Sequence, residues 1–209
     1  MEIPLHSSLI VPLALLLGTS ALAQTPPAEP QPVAIDDRIP AARDIPYPGT
    51  VAIDVDATDT ARAIFRVKQT IPVPGPGPFT LLYPEWLPGK HAPRGPIASI
   101  AGLKVSAEGK PLAWRRDPAD VYAFHVDVPE GVEAIDVEFQ HLSPTESDEG
   151  RVVMTPEMMN VQWEKMTLYP AGYYVRNIPV RTSITLPAGW QGATSLDVAS
   201  QSGNRITYQ

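Results

Sequence analysis

Proline falls so often along this chain that no long helix has room to form. Of 209 residues, 25 are proline, and each removes a main-chain donor and breaks the helical ladder. No stretch sustains an apolar period near 3.6 residues. Between the prolines and glycines lie short segments whose apolar residues alternate with polar ones, the period of a half-buried strand. Val51, Ile53 and Val55 alternate with Ala52, Asp54 and Asp56. Ala63, Phe65, Val67 and Ile71 alternate with Arg62, Arg66 and Lys68. Further strands are expected over 79–83, 97–107, 112–115, 121–128, 134–142, 161–168, 180–186 and 194–198, and from Arg205 to Gln209, with a hairpin turn at Glu108-Gly109. The expected fold class is all-β and β-sandwich-like over residues 51–209.

Two segments precede that domain. Leu9 to Gly18 is an apolar run followed by Ala21-Leu22-Ala23, a small-residue pattern suited to cleavage before Gln24. Pro12 interrupts the run, and it falls short of the roughly 20 residues that span a bilayer. Residues 1–23 are therefore expected to be a signal peptide, and the product to be exported, periplasmic or extracellular, with no membrane segment after cleavage. Residues 24–50 carry Pro26, Pro27, Pro30, Pro32, Pro40, Pro46 and Pro48. They read as a Pro-rich linker, loosely packed until about Thr50. The final Arg205 to Gln209 reads as a strand in progress, so the natural chain is expected to continue past Gln209.

Composition excludes some functions. The net charge is −7 and the only adjacent basic pair outside loops is Arg115-Arg116, so no basic surface for nucleic acid is expected. Cysteine is absent, so stability must come from core burial and not from disulfides. There is no Gly-x-Ser-x-Gly elbow and no His-Glu-x-x-His, so neither a serine nucleophile nor a local zinc site is built here. His91, His125 and His141 are too dispersed to form a local ligand set. His125 is expected on the solvent face with Asp127, and His141 as a hydrogen-bonded histidine at a strand end. Asp54-x-Asp56-x-x-Asp59 lacks the glycine and the terminal glutamate of a calcium loop. Met154, Met158, Met159 and Met166 read either as core filler or as a Cu(I)-binding thioether cluster.

The most informative segment runs from Tyr83 to Pro96, where two large aromatics, Lys90, His91 and Arg94 share a loop stiffened by four prolines. It reads either as a functional loop on a rigid scaffold or as a packed crossover. Trp86, Pro88, Gly89 and Arg94 form a Trp-x-Pro-Gly pattern with a basic residue following. Together with Leu168-Tyr169-Pro170, Leu186-Pro187-x-Gly189-Trp190 and Ala193-Thr194, this resembles the N-terminal domain of the glycyl aminopeptidase family, family sixty-one of the zinc metallopeptidases. The resemblance implies an exported aminopeptidase with some preference for Gly or Ala. In such proteins this β domain pairs with a thermolysin-like zinc domain, often followed by a PDZ domain. It places the zinc and the general-base glutamate in that downstream domain. This chain is then expected to carry no catalytic residue, no metal site and no cofactor of its own, and to be inactive alone. Its expected partners are its own downstream catalytic domain and, in the parent enzyme, a peptide substrate. Trp86, Lys90, His91 and Arg94 are the candidates for the interface or substrate cleft. A stand-alone exported module binding peptide, glycan or Cu(I) is the competing expectation.

Overall fold

A computed structural model of the chain describes residues 39–209; the expected signal peptide and residues 24–38 of the expected linker lie outside them. The described chain is all-β, with only single turns of 3-10 helix at Ile97–Ser99, Trp163–Lys165 and Val175–Asn177. Its strands are β1 (Val51–Asp59), β2 (Ile64–Pro72), β3 (Gly77–Leu82), β4 (Ile100–Ala107), β5 (Lys110–Leu112), β6 (Trp114–Arg116), β7 (Ala123–Val128), β8 (Ala134–Leu142), β9 (Tyr169–Pro170), β10 (Val180–Thr185), β11 (Val198–Ser202) and β12 (Arg205–Tyr208). They form an eight-stranded sheet, ordered β11-β12-β10-β1-β2-β8-β4-β5, and a four-stranded sheet, ordered β6-β7-β3-β9.

One apolar core joins the two sheets. Val55, Phe65, Val67, Ile135 and Val137 come from the large sheet, and Leu81, Phe124 and Val126 from the small one. The alternation in β1, β2 and β8 becomes an alternation of burial, because a strand turns successive side chains to opposite faces. The outer face of the large sheet is correspondingly charged. Asp54 pairs with Arg205, Lys68 lies 3.6 Å from Glu138, and Arg66 reaches Asp59 at 2.6 Å. The three aspartates of β1 thus go to separate neighbours, Asp56 accepting hydrogen bonds from Thr58. The Glu108-Gly109 hairpin forms as expected. Both residues have positive φ, 50° and 76°, between the paired Ala107 and Lys110, the backbone of a type I′ turn.

Three expectations are corrected. The segment 112–115 is not one strand: the chain leaves the large sheet after Leu112 and enters the small one at Trp114. The stretch 161–168 is not a strand but a 3-10 turn and a crossing segment that reaches the small sheet only at Tyr169. The strand placed at 194–198 instead begins at Val198. Packing also starts earlier than Thr50. Tyr47 is buried, donates from its hydroxyl to Pro72 O, and meets Tyr173 edge-on at 5.0 Å. Arg43 N donates to Gly172 O and Asp44 pairs with Arg176. The prolines at 46 and 48 lack donors, but Tyr47 between them supplies both an amide and a ring.

The crossing segment is held by a polar residue at a core position of β2. Gln69 is fully buried. Its Oε1 accepts from Leu168 N at 2.8 Å, while its Nε2 donates to Leu168 O and to Thr167 Oγ1, each at 3.0 Å. One side chain thereby satisfies both main-chain groups of Leu168, as a paired strand would. Gln69→Leu keeps the volume but strands these groups, and is expected to lower stability by about 2–3 kcal/mol in urea unfolding of the chain.

Candidate docking site

The small sheet leaves part of the large sheet's inner face uncovered beside β1 and β10, and an apolar groove of about 490 Å³ lies there. Val51, Ile53, Val180 and Thr182 belong to its floor strands. Pro84, Trp86 and Pro88 line it from the loop after β3, and Trp163, Leu168 and Tyr169 from the segment tied to Gln69. Glu164 and Thr167 from the same segment, Val175 and Ile178, and Leu196, Tyr208 and Gln209 complete the lining, in which Glu164 is the one charged side chain. Trp86 is 63% exposed and Val175 57%, so large apolar side chains stand open to solvent around a concave apolar surface. Such a concentration marks a binding surface more often than a neutral one. Trp163 meets Tyr208 edge-on at 6.1 Å. Both also line a more polar depression of about 360 Å³ containing Met158, Met159 and Trp190.

The sequence of the Trp86 loop explains how it holds its shape. Leu87 to Lys90 is a tight turn with Lys90 N donating to Leu87 O at 3.1 Å and Gly89 at φ 73°. Proline at the second position and a positive-φ glycine at the third suit a type II turn. Leu87 is buried and anchors the turn, while its neighbour Trp86 is turned outward. Gly95 closes the loop by donating to Glu85 O at 2.8 Å, so near that a Cβ would lie 2.0 Å from Pro84 O. Tyr122 donates from its hydroxyl to Gly95 O.

Of the four residues singled out from sequence, Trp86 alone lines the groove. Lys90, His91 and Arg94 are exposed on the same loop beyond the turn. Trp163, Val175, Val180, Leu196 and Tyr208 went unnoticed in sequence, because they come from five separate segments with no shared motif. Trp163 was hidden further because, flanked by Gln162 and Glu164, it continues the alternation of the strand expected over 161–168.

Lys165 closes the 3-10 turn that carries Trp163. Partial burial holds its ammonium below the usual lysine range, and the charges of Lys90 and Arg151 add to this against the opposing pull of Glu164. Lys90, Arg151 and Lys165 form no ion pair among the described residues.

The histidines do not converge. His125 is buried, against the expectation of a solvent-facing side chain. The Asp117 turn folds over it: His125 Nε2 lies 2.8 Å from Asp117 Oδ2 and Nδ1 lies 3.0 Å from Thr80 Oγ1. Asp117 Oδ1 accepts from Ala119 N and Asp120 N. These hydrogen bonds, the main-chain donor at Asp120 foremost, hold the Asp117 carboxyl below its ordinary range. The chain Thr80–His125–Asp117 ties β3, β7 and the turn together. His141 lies in the large sheet, edge-on to Phe65 at 6.2 Å. It is 1% exposed and neither ring nitrogen has a partner among the described residues beyond its own main chain, so the expected hydrogen bond is not made. Met154 and Met166 are buried in the core and Met158 is 71% exposed. The four methionines therefore do not present a shared thioether site. No group of three or more His, Cys, Asp or Glu is placed to hold a metal among the described residues. The described residues do not fit zinc.

An all-β domain of two sheets, with an open aromatic groove at one end, is the class that these features define. The chain belongs to the Peptidase M61 N-terminal domain family, whose model matches residues 52–209. No curated protein matches it. Among solved structures, the fold is similar to part of an aminopeptidase N family protein from Idiomarina loihiensis, with a TM-score of 0.61 at 19% identity over 76% of this chain. The match covers only 27% of that protein. A weaker likeness, TM-score 0.41 at 10% identity, is to an M1 zinc metallopeptidase from Deinococcus radiodurans solved with a Tyr-Ser-Ala substrate, covering 79% of this chain and 38% of that one.

Burial holds the His141 imidazole down at about 4, helped by the nearby Lys165 charge. The unfolded chain takes up this proton near the ordinary 6.5 and the folded chain only near 4. The stability of the neutral form is thus complete above about pH 6.5 and falls as pH drops towards 4, by about 3 kcal/mol in all. Thermal melting of His141→Leu between these pH values is expected to show a correspondingly flatter profile than the unaltered chain.

Proposed function

We propose that this domain is the non-catalytic N-terminal part of an exported zinc metalloaminopeptidase, packing on a thermolysin-like catalytic domain and shaping the entrance to its substrate cleft. Membership of the peptidase family supports the general reading. The observation that carries the finer one is Trp86, held outward by a rigid turn at the lip of an apolar groove. Tryptophan and arginine anchors dominate protein interfaces, and this indole is more than half open to solvent. Gln209 also lines the groove, so any segment continuing from it in a longer protein departs from that place. Zinc, its ligands and the general base belong in this reading to the catalytic domain. Residues 90–94 stand on the outer side of the loop. There Arg94 suits a carboxylate of the neighbouring domain or the C-terminal carboxylate of a peptide, which its guanidinium grips with two parallel hydrogen bonds.

The reading includes export through the signal at residues 1–23. N-terminal sequencing of the secreted product is expected to begin at Gln24, and an exported protein that retains Met1 would remove the signal from the account. For the docking loop, Trp86→Ala is expected to change the stability of this 209-residue chain by less than about 0.5 kcal/mol, as for a surface substitution. In the longer enzyme the same change should lower kcat/KM at least about tenfold, a loss of about 1.4 kcal/mol, with Arg94→Lys nearly as damaging as Arg94→Ala. Unchanged kinetics in all three variants would exclude a role for the loop in docking or cleft formation.

A further inference from the structure

One charged side chain stands in a groove whose other lining groups are apolar or uncharged. Glu164 shares the single turn Trp163–Lys165 with Trp163, and both line the groove together with Trp86, Tyr169 and Tyr208. The Glu164 side chain is partly buried and makes neither an ion pair nor a hydrogen bond among the described residues. Lys165, the next residue, feels this charge but does not line the groove. While the groove is open, water solvates the carboxylate. A surface that covers the groove strips that water away, and a desolvated carboxylate is costly unless a cation takes the water's place. The aromatic lining asks for the same charge, because the face of an indole or phenol ring attracts cations. An acidic occupant would meet Glu164 with no cation in the lining to offset it.

We propose that the protein surface seated in the groove presents an arginine whose guanidinium pairs with Glu164 while its stem lies along the aromatic lining. This rests on the reading that the groove receives the catalytic domain of the longer enzyme, and it names the side chain which that domain contributes. Arginine meets both demands of the lining at once. Its methylene stem covers apolar surface, and its planar head stacks on an aromatic ring while offering two parallel donors to a carboxylate. The apolar contact supplies area, and the ion pair fixes the register in which the two surfaces meet.

The test uses the longer enzyme and reads docking as the rate of proteolysis between its two domains, together with whether they melt in one transition or two. Glu164→Lys is expected to raise the cleavage rate at least about tenfold, in keeping with couplings of close interfacial charge pairs, and to split the melt. Changing one arginine of the covering surface to glutamate in the same protein is expected to restore both, and the arginine is overturned if no such reversal does. Circular dichroism melting of the 209-residue chain with Glu164→Lys checks that the domain itself stays folded. Should it not, Glu164→Gln, which keeps the shape and removes the charge, carries the same expectation. If Glu164→Gln raises KM for a peptide and leaves the domains docked, the carboxylate serves a substrate's ammonium group and the interfacial arginine is overturned. If Trp86→Ala separates the domains while both Glu164 variants leave them docked, the arginine is overturned and the groove reading stands. If none of these variants loosens the domains, both fall.

Discussion

A single buried amide organises the end of this domain where its two sheets part. Gln69 occupies a position on β2 where the alternation calls for an apolar residue, and it grips both main-chain groups of Leu168. Without that grip the segment from Trp163 to Tyr169 would cross the mouth of the core with unsatisfied polar backbone, which is costly to bury. With it, the segment stays close to β2 without joining the large sheet. The small sheet then stops at β9, two residues long, and the groove lies beside β1 and β10, where Val180 is exposed while Val51 and Ile53 stay buried. One wall of the groove, at Thr167 and Leu168, is therefore held by one hydrogen-bonding choice in the core.

The two faces of the large sheet have divided the work. On its outer side, charges pair across strands: Asp54 with Arg205, Lys68 with Glu138, Thr70 donating to Asp136. Exposed pairs of this kind add little stability, but they keep a broad flat surface hydrated and unattractive to apolar partners. On the inner side, the open area is apolar, with Trp86, Trp163, Val175 and Val180 in its lining. The contrast distinguishes a surface built to stay in water from one built to be covered.

Much of the fold was legible from local pattern. β1, β2 and β8 could be read from alternation alone because one face of each is buried and the other is wet, and the Glu108-Gly109 turn because its backbone demands those residue types. What escaped was set from a distance. The strand expected over 161–168 fails because Gln69, nearly a hundred positions away, supplies the pairing a neighbouring strand would have given. β5 and β6 were merged because no residue at Ala113 announces a change of sheet. His125 was misplaced because its cover comes from the Asp117 turn and not from the strand's own period. The same division holds for the site. The Trp86 loop stood out through its proline, glycine and tryptophan spacing, whereas the floor and far wall of the groove are assembled by topology from residues unremarkable in sequence.

The outward setting of Trp86 has an optical consequence. Of the chain's four tryptophans, Trp114 and Trp163 pack in part against the core, where Trp114 donates its indole N–H to Leu103 O and meets Phe124 edge-on. Trp190 is also packed in part against the core. Trp86 alone is more than half open to solvent. An indole in water emits to the red of one in an apolar setting and is quenched readily by small solutes. The fluorescence of this domain should therefore contain one red-shifted, easily quenched component among three more sheltered ones. Anything that settles over the groove would extinguish that distinction, so the protein carries its own spectroscopic indicator of whether this face is covered.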